Sequence, residues 1–438
     1  EDPKVRKNAA LLLGEMESED LLPVLFDSYK KEKTLFVRPD YLKAIAGMDC
    51  EAFLDEMEEQ LEMLRAKEPL AEEKKHVSAE MRMLQNILLK YRSPRPHVFH
   101  GYDKMEPMLL LVNREQTKAV ADEIKEGTHT LLKGGIRVKD AKIRTILPIR
   151  TYSELLFPIR TKTLPVNAPE EIGKQLAVSE LTDLMMRLHE GKAPYYFRIE
   201  PKGLDDAKKG NWIRKVSDAL EQESQAAWIN SVSSYETEIR LLMKKDGTMA
   251  AFLKLYTIPD QRFAYRVESI SSSMNPVNAA LCAQLARPWL KELDPFCGVG
   301  TLLIERNRAL AAKTMYGLDI FGDAIEKAKR NTALANCRVN YIQRDFFTFE
   351  HDYLFDEIIT DLPQASASRT KEEIHHLYLS FFEKAQQHLN DGGIVILYAA
   401  YPQYAAEAVR RYENFRMEKT FLLNEKTKMT LCIVRYQK

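Results

Sequence analysis

Cysteine is scarce. The 438 residues hold five, Cys50, Cys282, Cys297, Cys337 and Cys432, scattered, odd in number and without a Cys-x-x-Cys pair. That pattern excludes a disulfide framework and argues against a structural zinc, so no metal site is expected and the thiols read as reduced. Long apolar runs are missing too, and none approaches the roughly 18 residues that cross a bilayer, so no membrane is expected. The opening Glu1-Asp2-Pro3-Lys4-Val5-Arg6 has no leader-like layout and no initiator Met, as the cut end of a longer chain would look; the reading is cytoplasmic. Net charge is also absent. The 64 basic and 64 acidic residues cancel, which excludes a nucleic-acid binder acting through bulk charge and directs attention to local patches. What remains, 45% hydrophobic and 29% charged residues over a length suited to two to four domains, is a multidomain globular protein.

The N-terminal stretch reads as helices. Val5, Ala9, Leu12 and Leu13 recur at helical spacing before Gly14, and Leu21-Leu22-Pro23-Val24-Leu25 opens a second helix. Val37-Arg38 and the run 41–46 repeat the start of this unit, the period of a helical solenoid, although a helical cap on the next domain explains the pattern equally well. Residues 51–73 are rich in acid and read as a solvated face. Tyr91-Arg92-Ser93-Pro94-Arg95-Pro96 is a linker by its prolines.

An α+β unit follows, with a buried strand over 107–113, a helix from Arg114 to Lys125, and strands over Thr130–Val138 and Ile143–Ile149. Its tail is basic through Lys133, Arg137, Lys139, Lys142, Arg144, Arg150, Arg160 and Lys162, a charge asymmetry suited to a polyanion. Next come a helix from Pro169 to His189, the strand Tyr195–Glu200, a basic loop with Lys202, Lys208 and Lys209, and a helix Trp212–Leu220. A hairpin then closes at Asp246-Gly247, where Asp-Gly suits a type I′ turn. Trp212, Trp228 and Tyr195-Tyr196-Phe197 read as core rather than as RNA-stacking rings. The segment 260–266, Asp-Gln-Arg-Phe-Ala-Tyr-Arg, fits either a substrate path or a salt-bridged linker.

The chemistry-bearing stretch is Leu293-Asp294-Pro295-Phe296-Cys297-Gly298-Val299-Gly300-Thr301, a glycine turn before an apolar helix, where backbone amides point at a ligand. Leu303 stands where a dinucleotide fingerprint has a third glycine, which disfavours NAD. Strands over 315–320, 339–343 and 355–360 follow, ending at Asp319, Asp345 and Asp361. In an open parallel sheet such strand ends converge on one crevice, with the second-strand acid placed for ribose hydroxyls and Asp345-Phe346 offering a carboxylate and an aromatic face. Each acid alone is equally well a cap or turn residue. Gly393–Ala399, a helix 402–412, and strands 415–423 and 429–436 complete an α/β unit. His375-His376, on a helix without a nearby acid or cysteine, does not read as a metal site.

Asp-Pro-Phe-Cys-Gly-Val-Gly-Thr, with Gly-Leu-Asp, Arg-Asp-Phe and Asp-Leu-Pro, resembles the Rossmann-like S-adenosylmethionine methyltransferases, and among them the THUMP-containing RNA guanine-N2 methyltransferases. The resemblance covers Ser271 to the C-terminus with specific motifs and 105–256 loosely. The opening Asp-Pro-x-Val-Arg-x-x-Ala-Ala-x-x-Leu-Gly resembles a HEAT repeat. Together these imply a HEAT-like helical segment (1–95) with a surface for a protein partner, a ferredoxin-like unit (105–165), a THUMP-like RNA-binding domain (166–258) and a catalytic domain (271–438). The resemblance implies that S-adenosylmethionine is bound by Asn275, Pro276, Asp294, Pro295, Phe296, Gly298, Gly300, Thr301, Asp319, Ile320, Asp345 and Phe346, that catalysis falls to Asp361-Leu362-Pro363-Gln364, and that the last two strands pair. The substrate it implies is RNA, tRNA before others; amino methylation of rRNA or DNA, or a noncatalytic RNA-binding scaffold, are the alternatives. One departure stands out: the family has an aromatic that stacks on the target base where this chain has Gln364.

Overall fold

The computed structural model describes residues 2–438 except 17, 68, 71, 93–95, 287–289, 368 and 425–426, so the core of the proline linker lies outside the described residues. The chain forms two compact units, each built of separated segments: Glu1–Lys104 with Leu156–Pro259, and Met105–Leu155 with Asp260–Lys438.

In the first unit, helices Pro3–Glu15, Leu22–Lys31, Arg38–Ile45, Leu54–Ala66 and Lys74–Tyr91 share an apolar core that includes Phe26, Tyr29, Leu42, Ile45 and Leu84. Arg38 and Tyr29 meet the buried carboxylate of Glu80, so each charge in that core is paired. The last of these helices seats on the neighbouring sheet: Gln85 donates to the Tyr196 hydroxyl, and Arg82 pairs with Glu221. That sheet runs, in spatial order, Glu154–Pro165, Thr248–Leu255, Thr237–Met243, Tyr195–Lys202 and Trp228–Asn230, the last two pairings parallel. Trp212, Trp228, Tyr195, Tyr196 and Phe197 are all buried core, and both indoles donate inward, to Val166 O and Thr182 Oγ1.

Several elements differ from expectation. The helix expected over 169–189 is two, Pro169–Ala177 and Leu181–Leu188. The one expected over 212–220 is longer, Asp206–Glu223, and takes in Lys208 and Lys209. The 246–247 hairpin exists, but of that pair only Gly247 has positive φ, at 76°. It closes a type I turn with Gly247 as the left-handed fourth residue, Lys244 pairing with Thr248, rather than a type I′ turn.

In the second unit, Met108–Leu111, Gly135–Lys139 and Thr128–Leu132 form an antiparallel ladder in that spatial order. The single strand expected over 130–138 is thus a hairpin turning at Lys133-Gly134, and the strand expected over 143–149 is instead a helical turn, Ile143–Ile146. The larger part carries helix α1 (Pro276–Ala283), strand β1 (Lys291–Asp294), α2 (Thr301–Ala309), β2 (Thr314–Asp319), α3 (Gly322–Ala335), β3 (Asn340–Gln343), β4 (Phe355–Asp361), α4 (Lys371–His388), β5 (Leu389–Ala399), α5 (Pro402–Arg411), β6 (Phe415–Leu422) and β7 (Thr430–Tyr436). Strand order is β3-β2-β1-β4-β5-β7-β6. The first five strands are parallel, and β7 is antiparallel to both neighbours. Both faces are covered, which is why β4 and the second half of β5 are buried continuously rather than at alternate positions. The order reverses between β1 and β4, the place where such sheets open a ligand crevice.

The 260–266 segment is tied into the fold by ion pairs and hydrogen bonds. Glu305 on α2 takes both Nε and Nη2 of Arg150 at 2.6 Å and the Tyr265 hydroxyl at 2.7 Å. Arg262 lies 4.0 Å over the Tyr152 ring and donates to two backbone carbonyls, those of Ile149 and Tyr152. Arg150, counted among the free basic residues from sequence, is therefore spent inside the fold.

Candidate active site

Between β1 and α2 the backbone turns through Gly298 (φ 52°) and Gly300 (φ 79°), conformations costly for other residues. A Cβ on Gly300 would lie 2.3 Å from the Tyr341 hydroxyl oxygen, so glycine is needed there for space as well. At Gly298 a Cβ would meet only Ile270, 3.9 Å away, which leaves the turn open on that side. Asp319, at the end of β2, braces the loop: its Oδ2 accepts from Gly298 N at 3.0 Å and its Oδ1 from Phe321 N at 2.9 Å. Each carboxylate oxygen has a second lone pair, so acceptor capacity remains. Asp294 holds the loop from beneath. It is 1% exposed and accepts from Thr360 Oγ1 at 2.7 Å and Phe296 N at 3.1 Å. Burial pushes its carboxyl up to about 7. Pro295 is buried beside it, and Thr301, the first residue of α2, is buried with its hydroxyl unpartnered among the described residues.

Asp361 ends β4. Its Oδ1 is buried and has no hydrogen-bond partner among the described residues, and burial, reinforced by the charge of Asp294, pushes the carboxyl up to about 8. Cys282 on α1, Tyr378 on α4 and Tyr398 on β5 surround it closely enough that its charge raises the pKa of each. Leu362 turns into the core, leaving its carbonyl at the strand end, and Gln364 is exposed, its Nε2 3.7 Å from Met429 Sδ.

Asn275 caps α1 through Val277 N at 2.9 Å, with Pro276 at the first helical position. Asp345 likewise caps a short turn through Phe347 N at 3.0 Å. The aromatic face expected from Phe346 is corrected: that ring is 1% exposed and packs in the core against Phe296, Phe381 and His388, because the turn after Asp345 points it under the sheet edge. The ring left at the surface here is Phe347, half-buried. Beyond Asp319, Ile320 and Phe321 stand 45% and 60% exposed, an apolar wall at the same end of the sheet. His375 has an acid within reach after all, Glu407 at 3.0 Å; among the described residues no cluster of three or more ligands is placed for a metal.

Gly298 and Asp319 are thus joined by a hydrogen bond, and Asp294 lies close enough to Asp319 and Asp361 for their charges to act on one another. Sequence reasoning missed Thr360, Tyr341, Tyr398 and Phe321. Thr360 and Tyr398 could have been found by counting alternate positions along β4 and β5; the partner of Asn278 lies too far along the chain for any local pattern.

Residues 264–430 match the model of the RMKL-like, methyltransferase domain. This stretch is an S-adenosylmethionine-dependent methyltransferase domain. Over 116 residues, 26% of this chain, the protein is 34% identical to a tRNA (guanine(10)-N2)-dimethyltransferase from Methanothermobacter thermautotrophicus, and the match spans about a third (33%) of that relative's length. Three solved structures share the methyltransferase-containing fold. TrmN from Thermus thermophilus aligns over 76% of this chain and 99% of its own with a TM-score of 0.59 at 18% identity. A "predicted N6-adenine-specific DNA methylase" from Listeria monocytogenes aligns over 75% and 96%, TM-score 0.55, at 14% identity. SMU.472 complexed with SAH aligns over 76% and 98%, TM-score 0.55, at 14% identity. Among the described residues no helix of the methyltransferase-bearing chain is long and apolar enough to cross a membrane.

Proposed function

We propose that the protein transfers a methyl group from S-adenosylmethionine to an exocyclic amine of an RNA base, with N2 of a guanosine in tRNA as the acceptor. The observation that carries this reading is Asp361, whose buried Oδ1 accepts no hydrogen bond among the described residues, at the end of β4, the strand paired with β1. The residues present fit the cofactor: the open side of Gly298, the unpartnered hydroxyl of Thr301 and the spare lone pairs of Asp319 are a cradle of amide, hydroxyl and carboxylate groups for an amino-acid nucleoside. We assign Asn275, Pro276, Asp294, Pro295, Phe296, Gly298, Gly300, Thr301, Asp319, Ile320 and Asp345 to holding it, with the Phe346 position contributing backbone only. When bound, S-adenosylmethionine supplies an electrophilic methyl group on sulfonium, with a neutral thioether as leaving group.

The chain then has to position more than to protonate. The guanine amine is a weak nucleophile because its lone pair is delocalised into the ring. Asp361 and the carbonyl of Leu362 accept its two N–H groups, pull the lone pair out of conjugation, and Asp361 takes the proton the amine releases. Asp361 must be ionised to do this, so its raised pKa sets an ascending pH dependence. Pro363 fixes the strand exit, and Gln364 replaces a ring. A base within a stem has to be flipped out to reach this depth.

The rest of the proposal follows from the resemblance and the relative's name. Residues 166–258 run helix, helix, strand, strand, helix, strand, strand, strand, an order of helices and strands that we read as a THUMP-like RNA-binding domain. The 105–165 stretch is read as its ferredoxin-like companion, 1–95 as a HEAT-like surface for a protein partner, 271–438 as catalytic, and the location as cytoplasmic.

The test is nucleoside mass spectrometry of unmodified tRNA and rRNA after incubation with isotopically labelled S-adenosylmethionine, beside Asp361→Ala. Labelled N2-methylguanosine in tRNA, absent with the variant, is the expected result. Label in adenosine, or in rRNA alone, redirects the substrate; cofactor binding without any label supports the scaffold alternative that Gln364 raises.

A further inference from the structure

Helix α1 begins with the segment assigned above to the cofactor, yet its fourth residue counted from the cap points elsewhere. Asn278 Nδ2 donates to the Tyr398 hydroxyl at 2.9 Å. Tyr398 is buried near the end of β5, directly opposite Asp361 in the parallel ladder, and neighbours in that register project from the same face. A tyrosine hydroxyl has one proton to donate and can accept besides. Asn278 uses an acceptor site, and among the described residues the Tyr398 hydroxyl makes no other hydrogen bond, so its own proton is uncommitted. Facing it across the ladder is the carboxylate whose buried Oδ1 is likewise uncommitted. A donor without an acceptor and an acceptor without a donor occupy paired register positions, not joined by a hydrogen bond in this structure, and the bond from Asn278 holds the donor in place.

We propose that Tyr398, held by Asn278, is a positioning residue that orients Asp361 toward the acceptor amine and ties that orientation to the seating of α1. This rests on the methyltransferase reading above. The groups facing Asp361 are Asp294 from β1, Cys282 from α1, Tyr378 from α4 and Tyr398 from β5; of these, the hydroxyl of Tyr398 is the one steered by the cofactor-side helix. A hydroxyl donated to an ionised carboxylate favours the ionised form. Tyr398 therefore keeps Asp361 competent at lower pH than its burial alone allows.

The experiment compares the full chain with Tyr398→Phe and Asn278→Ala by steady-state methyl transfer to tRNA across pH at saturating S-adenosylmethionine, with cofactor Kd by calorimetry and Tm alongside. Tyr398→Phe is expected to lower kcat about tenfold, the size of one hydrogen bond realised in the reacting complex, and to move the ascending limb of kcat to higher pH. Asn278→Ala should move both in the same direction by less, while Kd for the cofactor, KM for tRNA and Tm stay within about twofold or a degree or two of wild type. An unchanged kcat and pH limb overturns the proposal, as does a loss that excess cofactor restores, because a purely structural hold on α1 would act through cofactor affinity. If the wild-type protein labels no nucleic acid, the underlying reading fails first and this inference falls with it.

Discussion

Strands β1 and β4 lie side by side and carry acids at two levels, treated in opposite ways. Near their N-terminal ends Glu292 and Glu357 face each other in register, and Arg306 from α2 stands between them, its Nε 3.0 Å and 2.8 Å from the two carboxylates. All three side chains are fully buried. Burial and the neighbouring Glu357 raise the pKa of Glu292 well above the usual carboxylate range, with Arg306 acting against them. At the C-terminal ends Asp294 is buried and Asp361 half-buried, and among the described residues neither pairs with a cation; Asp294 is held by a hydroxyl and an amide, while Asp361 Oδ1, like both carboxylate oxygens of Glu292, is buried and accepts no hydrogen bond. An unsatisfied buried acceptor is costly; at Glu292 the ion pair with Arg306 offsets that cost, whereas among the described residues no cation does so at Asp361, and folding stability alone does not account for it. The lower level neutralises charge to fix helix α2 under the glycine turn. The upper level keeps acceptor capacity in reserve for something that arrives later.

The comparison breaks most sharply at Asp361. Asp361→Asn should cut methyl transfer by at least about 100-fold, the range for removing a positioned proton acceptor, while Tm stays level or rises because a buried unpaired carboxylate has gone. Turnover by isotope incorporation and Tm by calorimetry check this, and a variant that loses both would make Asp361 scaffold like the acids below. At the lower level, Arg306→Leu should cost about 3–5 kcal/mol in chemical denaturation, because it removes the buried cation that both acids contact. Glu292→Gln, which only makes permanent the neutral form that burial already favours, should cost far less. Equal losses from the two variants would show that Glu292 is charged in the fold.

Both levels predict the same pH trend for stability. Asp294 and Asp361 are pushed up to about 7 and about 8, and Glu292 is raised as well. An unfolded chain releases the protons of such groups near pH 4, whereas the folded chain retains them. The folded state therefore binds more protons over the interval, and stability falls as pH rises from about 4 through about 8. Denaturation midpoints measured across this window should show that slope, and Asp361→Asn should shallow it above neutrality. A wild-type midpoint that climbs with pH would mean that these carboxylates are ionised in the fold.

Much of the upper level was legible in the sequence because its signals are local. Glycines at 298 and 300, an acid at the end of each apolar run and roughly even spacing between runs define the crevice without any long-range knowledge. The lower level was not, since nothing links Glu292, Arg306 and Glu357 until the sheet places two of them in register. Side-chain direction was lost for a related reason: at Asp345 the strand gives way to a short turn, the alternation of faces stops, and the core claims Phe346 while Phe347 stays at the surface. The run 143–149 was misread because Ile143, Ile146 and Leu147 satisfy helical spacing while their β-branched neighbours look like a strand, and packing decides between the two. The break between the helices of 169–188 carries no glycine or proline to announce it.

The smallest effect tests what arrives at the upper level. Gln364 is exposed and its amide rests against Met429 Sδ, so a ring there meets no tight packing. Base stacking on an aromatic side chain contributes about 1–3 kcal/mol in a well-formed site; at an exposed strand exit the lower end applies. Gln364→Phe should therefore lower KM for RNA by about fivefold. The gain is in holding the base rather than in the transfer itself, so kcat should not change. Cofactor affinity should be untouched, because the glycine turn and Asp319 lie on other strands. Steady-state kinetics with tRNA separate the outcomes. A lower KM at constant kcat places the flipped base against position 364 and makes the native glutamine a device that weakens product retention. An unchanged KM means that the base reaches Asp361 along another face of the crevice, and the exposed wall of Ile320 and Phe321 becomes the next place to substitute.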